Sequence, residues 1–276
     1  MDQPRKLVYK FQPKDSRDHM FKTEPHPKNE NLQLQTTTIP LKSLSASKTV
    51  TANPATFILS NTAAILDQGN LGDCVSNAFS FAVTTQTKTL ANPVYLSRIF
   101  MYDICRILDN NPLNVDSGTT IRTACSSIKN YGFVSEGSYP YNIKAFSNFP
   151  PLATLKLSKQ PAAFSYTFVT QDLTSIKNCL NTYKVPIVFG FLVYSSFMTA
   201  AVAKTGTVPM PNIANEMLEG GHCMCIIGYD DVKQSFTCVN SWGTSWGNKG
   251  FCYIPYNYLM NTGLASDFCF ISQLTP

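Results

Sequence analysis

Charged residues are scarce: only 14% of the 276 residues are Asp, Glu, Lys or Arg, whereas 44% are hydrophobic. This composition excludes an intrinsically disordered chain, because disorder requires many charged and few apolar residues. The formal net charge of +5 comes mostly from residues 1–50, which hold nine Lys or Arg against five Asp or Glu. The remainder is nearly neutral and lacks a basic surface, so we expect no nucleic-acid partner.

Apolar segments of the kind that enter membranes are also missing. Residues 1–6 have no apolar core such as secretory signals carry, so we expect no export through a signal peptide. Residues 185–203 hold no charged side chain over nineteen positions, which approaches the length of a membrane helix. However, Pro186, Gly190 and many β-branched and aromatic residues in this stretch favour a buried strand. We therefore expect no membrane partner.

Cysteine is abundant, with nine residues, but none of them is spaced as Cys-x-x-Cys. An odd number without an export signal argues against a disulfide framework. His222, Cys223, Cys225, Cys238 and Cys252 carry atoms that bind zinc, yet residues 222 and 223 would point to opposite faces of a strand. The spacing therefore disfavours zinc, and we expect neither a metal nor another cofactor.

Helical and strand patterns are segregated along the chain, after a polar N-terminal arm that contains several prolines. Helical periodicity predicts helices over residues 74–88, 97–107 and 119–131, the last ending before Gly132. Apolar runs predict strands over residues 163–170, 187–194, 223–229, 235–239 and 250–254, with a turn at residues 230–233. Helices followed by strands predict an α+β protein of two lobes, the second built on an antiparallel sheet.

Cys74 is a candidate nucleophile, because it stands at the predicted N-terminus of a helix, where the macrodipole favours a thiolate. Gln68, six residues upstream, can donate an amide N–H to an oxygen that develops negative charge. The backbone N–H of Cys74 can donate to the same oxygen. The alternative is a glycine-containing turn followed by a helix that buries a structural cysteine.

His222 is the one histidine outside the N-terminal fifty residues, and it follows two glycines at the start of an apolar strand. Asn240 lies at the end of the next strand, where its side chain can accept a hydrogen bond from the imidazole. Both tryptophans fall within residues 239–247, so an indole such as that of Trp242 can shield this bond from water. The alternative for this loop is an aromatic corner without a catalytic role.

In this order and spacing, the segments resemble the papain-like cysteine peptidases, the family of papain and the cathepsins. Within that family, the sequence most resembles cathepsin B-like, bacterial and large-virus members. The matching motifs are Gln68-Gly69 with Gly72 and Cys74; Gly221-His222 with Gly228-Tyr229-Asp230; and Asn240-Ser241-Trp242-Gly243 with Trp246-Gly247. Cys74 and His222 are 148 residues apart, within the range of about 130 to 150 typical of the family. The resemblance covers residues 54–276.

The resemblance implies a papain-like two-lobed fold: an arm over residues 1–53, a helical lobe over about 68–160 and a β lobe over about 161–276. It implies that Cys74 is the nucleophile, His222 the general base and acid, Asn240 its orienting partner and Gln68 an oxyanion donor. The expected activity is that of a cysteine-type endopeptidase, acting as a monomer on proteins or peptides. No second histidine in the body is present to hold a substrate carboxylate, which argues against an exopeptidase.

Substrate contacts follow from the same resemblance. Gly118, Thr119, Gly221 and Trp242 are expected to line the substrate site, the first two through main-chain groups. Asp267 is expected at the floor of the pocket for the second side chain before the cleaved bond. There it would favour Arg or Lys in the substrate. The alternatives are an apolar preference and an exposed or helix-capping Asp267.

Departures from the family pattern affect four features. Val75 stands where the family usually has tryptophan, and Asp73 replaces a small residue, adding a negative charge expected to disfavour the thiolate slightly. Leu71 and Asp116 occupy the positions of a common disulfide, and the arm is too short for the usual inhibitory propeptide. The lost disulfide indicates a reducing compartment: the cytoplasm, or a virion or host cytoplasm for a viral protein.

Two other functions use the same residues. One is an inactive papain-like binding or structural protein, although such shells commonly lose a catalytic residue and this chain keeps all four. The other is a deubiquitinase or an amide-forming transferase with the same catalytic set. The arm is interpreted as a short prosegment, with a disordered or partner-binding tail as the alternative.

Overall fold

A computed structural model describes residues 5–13, 15, 18, 20–21 and 53–275. Of the predicted arm, residues 22–52 lie outside this described part. The described arm residues are not separate from the body, because residues 5–13 lie against both lobes.

The helices of the described residues begin with the three that the sequence predicts. They are α1 (Cys74–Thr87), α2 (Arg98–Leu108), α3 (Ile121–Tyr131), α4 (Leu152–Lys156), α5 (Leu173–Tyr183), α6 (Ala200–Thr205) and α7 (Tyr256–Met260). Short 3-10 helices span Ile143–Ala145 and Ser195–Met198. Gly132 follows the last residue of α3, as the sequence predicts. Its φ is +75°, a conformation that glycine adopts without strain.

The strands form one sheet in the order β1-β3-β8-β4-β5-β6-β7, with β2 also paired to β5. Their bounds are β1 (Met20–Phe21), β2 (Thr56–Ile58), β3 (Ala163–Val169), β4 (Ile187–Tyr194), β5 (Leu218–Asp230), β6 (Ser235–Val239), β7 (Phe251–Pro255) and β8 (Ala265–Thr275). Every named pairing is antiparallel except that of β1 with β3, so the predicted antiparallel sheet is confirmed.

Within the uncharged stretch over residues 185–203, Ile187–Tyr194 form β4 at the centre of this sheet, as predicted. The stretch then continues into the 3-10 helix Ser195–Met198 and the start of α6. In the described part of the chain, no helix has both the length and the apolar character needed to cross a membrane.

Two hydrophobic cores lie on opposite faces of the sheet, one with α1 and α3 and the other with α5, α6 and α7. The helix α1 is buried on almost every side and therefore carries small polar residues that need internal partners. Ser80 and Thr84 donate hydrogen bonds to the carbonyls of Leu96 and Val94. Helix α1 packs along β5 and directs its N-terminus at the middle of the sheet.

Candidate active site

Cys74 is the first residue of α1, and its side chain is fully buried. The backbone N–H groups of Cys223 and Val75 lie near enough to its thiol to lower the pKa of Cys74. Because Cys223 follows His222 on β5, this contact brings the start of α1 alongside the histidine. Helix α1 and strand β5 therefore place the predicted nucleophile and the predicted base together.

The imidazole of His222 is oriented by Asn240, as the sequence predicts. Its Nε2 lies 2.8 Å from Oδ1 of Asn240, and the same Oδ1 accepts the backbone N–H of Ser241 at 2.8 Å. Because Oδ1 only accepts, Nε2 carries the proton. Nδ1 is buried and has no hydrogen-bond partner among the described residues. The geometry thus leaves Nδ1 available as a base.

Trp242 packs against the histidine ring, with 5.1 Å between ring centroids. It is buried, and Trp246 and Phe197 contact it edge to face. The predicted indole shield is therefore present over His222. The contacts of Trp242 among the described residues are with this aromatic cluster, so its expected role in binding substrate stays a prediction.

Gln68 is buried, and its side-chain amide is held at both ends. Ser241 donates its hydroxyl to Oε1 at 2.5 Å, and Nε2 donates to the carbonyl of Leu71 at 2.8 Å. The backbone N–H of Gln68 also binds the carbonyl of Ser241 at 2.8 Å. Nε2 carries two hydrogens, so one remains for a developing oxyanion. Ser241 was not among the predicted site residues, although it lies within the Asn-Ser-Trp motif.

The arm occupies the predicted substrate-backbone positions. The backbone N–H of Tyr9 binds the carbonyl of Gly221 at 2.9 Å, and that of Lys10 binds the carbonyl of Thr119 at 3.2 Å. A Cβ on Gly118 would lie 1.7 Å from the carbonyl oxygen of Val8, so only glycine permits this approach. The structure thus brings Gly118, Thr119 and Gly221 to one cleft, which the arm fills.

The side chain of Tyr9 fills a pocket that ends at Asp267. Its hydroxyl donates to Oδ2 of Asp267 at 2.5 Å, and only 5% of Tyr9 is exposed. A Cβ on Gly190 would lie 1.9 Å from the ring, so this glycine forms part of the pocket wall. Asp267 therefore lies at the end of a side-chain pocket beside the candidate catalytic residues, and an aromatic side chain with a hydroxyl tip occupies it.

Ionic contacts hold the arm on either side of Tyr9. Arg5 binds Oδ1 of Asp67 at 2.6 Å, and Lys6 binds Oδ2 of Asp116 at 2.9 Å. Further along, Arg122 of α3 binds Asp18. Partly exposed pairs contribute about 0 to 1 kcal/mol each, whereas burial of an aromatic side chain contributes about 1.5 to 3 kcal/mol. Tyr9 is therefore the main anchor of the arm.

With the arm in place, the environment disfavours both charged catalytic groups. Burial raises the pKa of the Cys74 thiol to about 12, although backbone N–H groups oppose this shift. Burial lowers the pKa of His222 to about 4; the bond to Asn240 opposes this change and Arg5 adds to it. The covered site therefore holds a neutral thiol and a neutral imidazole.

When it is ionised, Asp73 raises the pKa of the Cys74 thiol, as the sequence predicts. Burial raises the pKa of Asp73 to about 8, although the contact with the Tyr141 hydroxyl and the charge of Arg98 lower it. At pH 7 the carboxyl is therefore mostly protonated and adds little negative charge beside Cys74.

The alternative zinc site has no structural support. Within the residues that the structure describes, no three His, Cys, Asp or Glu side chains cluster as metal ligands. All nine cysteines are buried and free.

Comparisons with known proteins identify the family of this chain. Residues 59–271 match the family model described as papain family cysteine protease. The uncharacterized peptidase C1-like protein L477 of Acanthamoeba polyphaga mimivirus is 36% identical over 220 residues, covering 76% of this chain and 70% of that protein. Cysteine proteinase 3 of Dictyostelium discoideum is 26% identical over 208 residues, covering 73% of this chain and 58% of that protein.

A solved structure extends the similarity over almost the whole chain. Xylellain, a cysteine protease from Xylella fastidiosa, has a TM-score of 0.79 and 28% sequence identity. The match covers 98% of this chain and 97% of that one.

Proposed function

This chain belongs to the papain family of cysteine proteases, and we propose that it is an endopeptidase that uses Cys74, His222, Asn240 and Gln68. The observation that carries the proposal is the bond from His222 Nε2 to Asn240, which leaves Nδ1 without a partner beside the start of α1. A base with a free nitrogen next to a cysteine at a helix N-terminus is the arrangement that thiol catalysis requires.

The chemistry follows from these positions. His222 Nδ1 takes the proton of Cys74, and the thiolate attacks the carbonyl carbon of the scissile bond. Gln68 Nε2 and the backbone N–H of Cys74 donate to the resulting oxyanion. His222 then protonates the departing amine, which leaves a thioester on Cys74. Finally His222 takes a proton from water, and the resulting hydroxide attacks the thioester carbonyl. The C–S bond breaks, His222 returns the proton to the thiolate, and a carboxylic acid leaves the restored Cys74 thiol.

Arm residues 5–13 act in this proposal as a short inhibitory prosegment. The arm covers the main-chain positions that a substrate would need, and it withdraws water from Cys74 and His222. Both effects hold the pair in its neutral form, because a thiolate and an imidazolium need solvation or each other. Displacement of the arm would restore access and the ion pair together. The nine free cysteines favour a reducing compartment, and we propose the cytoplasm.

Internal cleavage is the feature that separates this proposal from an exopeptidase. We expect hydrolysis of peptides blocked at both termini, because His222 is the only histidine of the body and none is available to bind a terminal carboxylate. Mass spectrometry of a ladder of acetylated and amidated peptides would measure this. Sequential loss of C-terminal dipeptides from unblocked peptides, without cleavage of the blocked ones, would contradict it.

The pocket occupied by Tyr9 is proposed to select the second side chain before the cleaved bond. Asp267 at its end accepts the hydroxyl of Tyr9, so side chains with a donor at their tip, namely Tyr, Arg or Lys, are favoured over Phe. Asp267 has φ of +60°, which Asn tolerates better than most residues. Asp267→Asn therefore removes the charge and keeps the backbone and one acceptor oxygen.

We expect Asp267→Asn to lower the ratio of kcat/KM for Arg over Phe at this position by about five- to thirtyfold. A partly screened charge pair is worth about 1 to 2 kcal/mol, which corresponds to that range. The ratio of Tyr over Phe serves as the control and should change much less, because the amide oxygen still accepts the phenol. Paired fluorogenic substrates measure both ratios, and an unchanged Arg-to-Phe ratio would mean that this pocket does not bind the second side chain before the cleaved bond.

A further inference from the structure

Asp73 connects Cys74 to Gln68 through the hydroxyl of Tyr141. The catalytic steps described above give Asp73 no role. It immediately precedes Cys74 at the N-cap position of α1, but its side chain makes no capping hydrogen bond. It is fully buried and contacts the hydroxyl of Tyr141 instead. A buried carboxyl that forgoes a helix cap must be stabilised by another arrangement.

The two oxygen contacts of the Tyr141 hydroxyl bear on the protonation of Asp73. Its hydroxyl oxygen lies 2.9 Å from Oδ1 of Asp73 and 2.9 Å from the carbonyl oxygen of Gln68. The hydroxyl has one hydrogen, and the carbonyl of Gln68 can only accept. Both contacts are satisfied when Tyr141 donates to Gln68 and Asp73 donates to Tyr141, which requires a proton on Asp73.

The second carboxyl oxygen supports the same assignment. Oδ2 of Asp73 is buried and has no hydrogen-bond partner in the described part of the chain. An ionised carboxylate accepts several hydrogen bonds, and burial of one with an unpartnered oxygen is costly. A neutral acid loses far less at that position.

The charged and titratable groups around Asp73 do not reverse this balance. Arg98 on α2 favours the carboxylate, but its guanidinium already binds Oε1 of Glu136 at 2.9 Å. Asp116 opposes ionisation of Asp73, and an ionised Asp73 and a Cys74 thiolate would repel each other. Tyr141 is the remaining titratable neighbour, and burial raises its pKa, so it stays a phenol. Burial is the largest effect on Asp73 and raises its pKa to about 8.

We propose that Asp73 is a protonated carboxylic acid at neutral pH and a positioning residue that, through Tyr141, fixes the carbonyl of Gln68 and hence the oxyanion donor beside Cys74. This proposal rests on the proposed function for its effect on catalysis. A neutral acid joins the two segments without placing a charge beside the thiolate. Ionisation would reverse the bond between Asp73 and Tyr141, because the carboxylate would accept the hydroxyl hydrogen. The carbonyl of Gln68 would then lose its donor, and a charge would stand beside the thiolate.

Three variants separate positioning from a merely structural role. Asp73→Asn keeps the shape and a donor N–H but cannot ionise, Asp73→Ala removes the link, and Tyr141→Phe removes the hydroxyl. All are made in the full chain carrying Tyr9→Ala, which weakens the arm. We expect Asp73→Ala and Tyr141→Phe to lower kcat/KM by at least about tenfold, and Asp73→Asn to restore most of the activity below neutral pH.

The decisive readout is the ratio of kcat/KM for Asp73→Asn over that for Asp73 itself as a function of pH. Titration of His222 affects both proteins and cancels. We expect the ratio to be flat below neutral pH and to rise as the pH passes about 8, where Asp73 loses its proton. A ratio that is flat throughout, or an Asp73→Asn variant as impaired as Asp73→Ala, would overturn the proposal.

An infrared measurement tests the protonation without relying on activity. The difference spectrum between the full chain and Asp73→Asn should contain the carbonyl band of a protonated carboxylic acid at neutral pH, and the band should vanish on alkaline titration. A carboxylate band at neutral pH would overturn the assignment. If Cys74→Ala failed to abolish hydrolysis, the proposed function would fail while the infrared result still stood.

Discussion

Replacement of Cys74 or His222 with alanine is expected to abolish peptide hydrolysis, whereas Asn240→Ala should leave weak activity. Cys74 and His222 make and break bonds, so either loss should lower kcat by more than about 10,000-fold. Asn240 only orients the imidazole through one buried hydrogen bond. Loss of a bond worth about 1.5 to 3 kcal/mol corresponds to about a ten- to hundredfold decrease.

Labelling by an epoxide that alkylates active-site thiols identifies which cysteine is the nucleophile. The label should attach to Cys74 and should be lost in Cys74→Ala. Cys225→Ala is the matched control, because Cys225 is also buried, lies on β5 and donates its thiol to the carbonyl of Ala78. Equal residual rates in all three catalytic variants, or labelling of another cysteine, would count against the assignment. No labelling in any protein with an opened cleft would favour an inactive shell.

Tyr9→Ala is expected to raise the initial rate on a small peptide substrate by up to about a hundredfold. The ring of Tyr9 fills its pocket, and truncation of a buried aromatic side chain to alanine removes about 3 to 5 kcal/mol of stabilising free energy. The rate cannot rise further once every molecule has an open cleft. The measured increase in initial rate is therefore smaller than the lost binding energy of Tyr9 alone would give. Stopped assays with a fluorogenic dipeptide, performed before any processing of the chain, measure this rate.

Lys10→Ala is the matched control for the arm. Lys10 is next to Tyr9, and its backbone N–H binds Thr119, which alanine preserves. This variant removes a positive charge and a long side chain from the arm but leaves the pocket filled. We expect its rate to equal that of the unmodified chain within about twofold. Equal rates for Tyr9→Ala, Lys10→Ala and the unmodified chain would leave the arm as a tail without inhibitory function.

The candidate catalytic residues were predictable because each lies in a short motif with its own local cause. Cys74 starts an apolar helix. His222 lies on β5 and Asn240 directly follows β6, and one turn joins these two strands. The turn at residues 230–233 is found, with Oδ1 of Asp230 accepting the N–H groups of Val232 and Lys233. Local periodicity and turn chemistry thus predict the helix and the strands that carry these side chains.

Elements without such local causes were not predicted. α5 ends at Lys184 in a left-handed conformation, so no glycine marks its end. β8 contains Ser266 and Asp267, whose polarity favours a turn, and Asp267 has φ of +60° within the strand. Tyr9 lies in a polar segment without periodicity. Its partners are 181 or more residues away in the chain, at Gly190, Gly221 and Asp267, and only the folded cleft defines them.

The arm is fastened to the body at a second place, beyond the cleft. β1 pairs with β3, and Arg122 holds Asp18, so residues 5–13 stay attached at one end when they leave the cleft. Such a tether gives the released segment an effective concentration on the order of millimolar. A peptide substrate present at micromolar concentration must therefore compete with an inhibitor about a thousandfold more abundant. Cleavage between residue 13 and residue 18 would remove this advantage, and dilution alone would then free the enzyme.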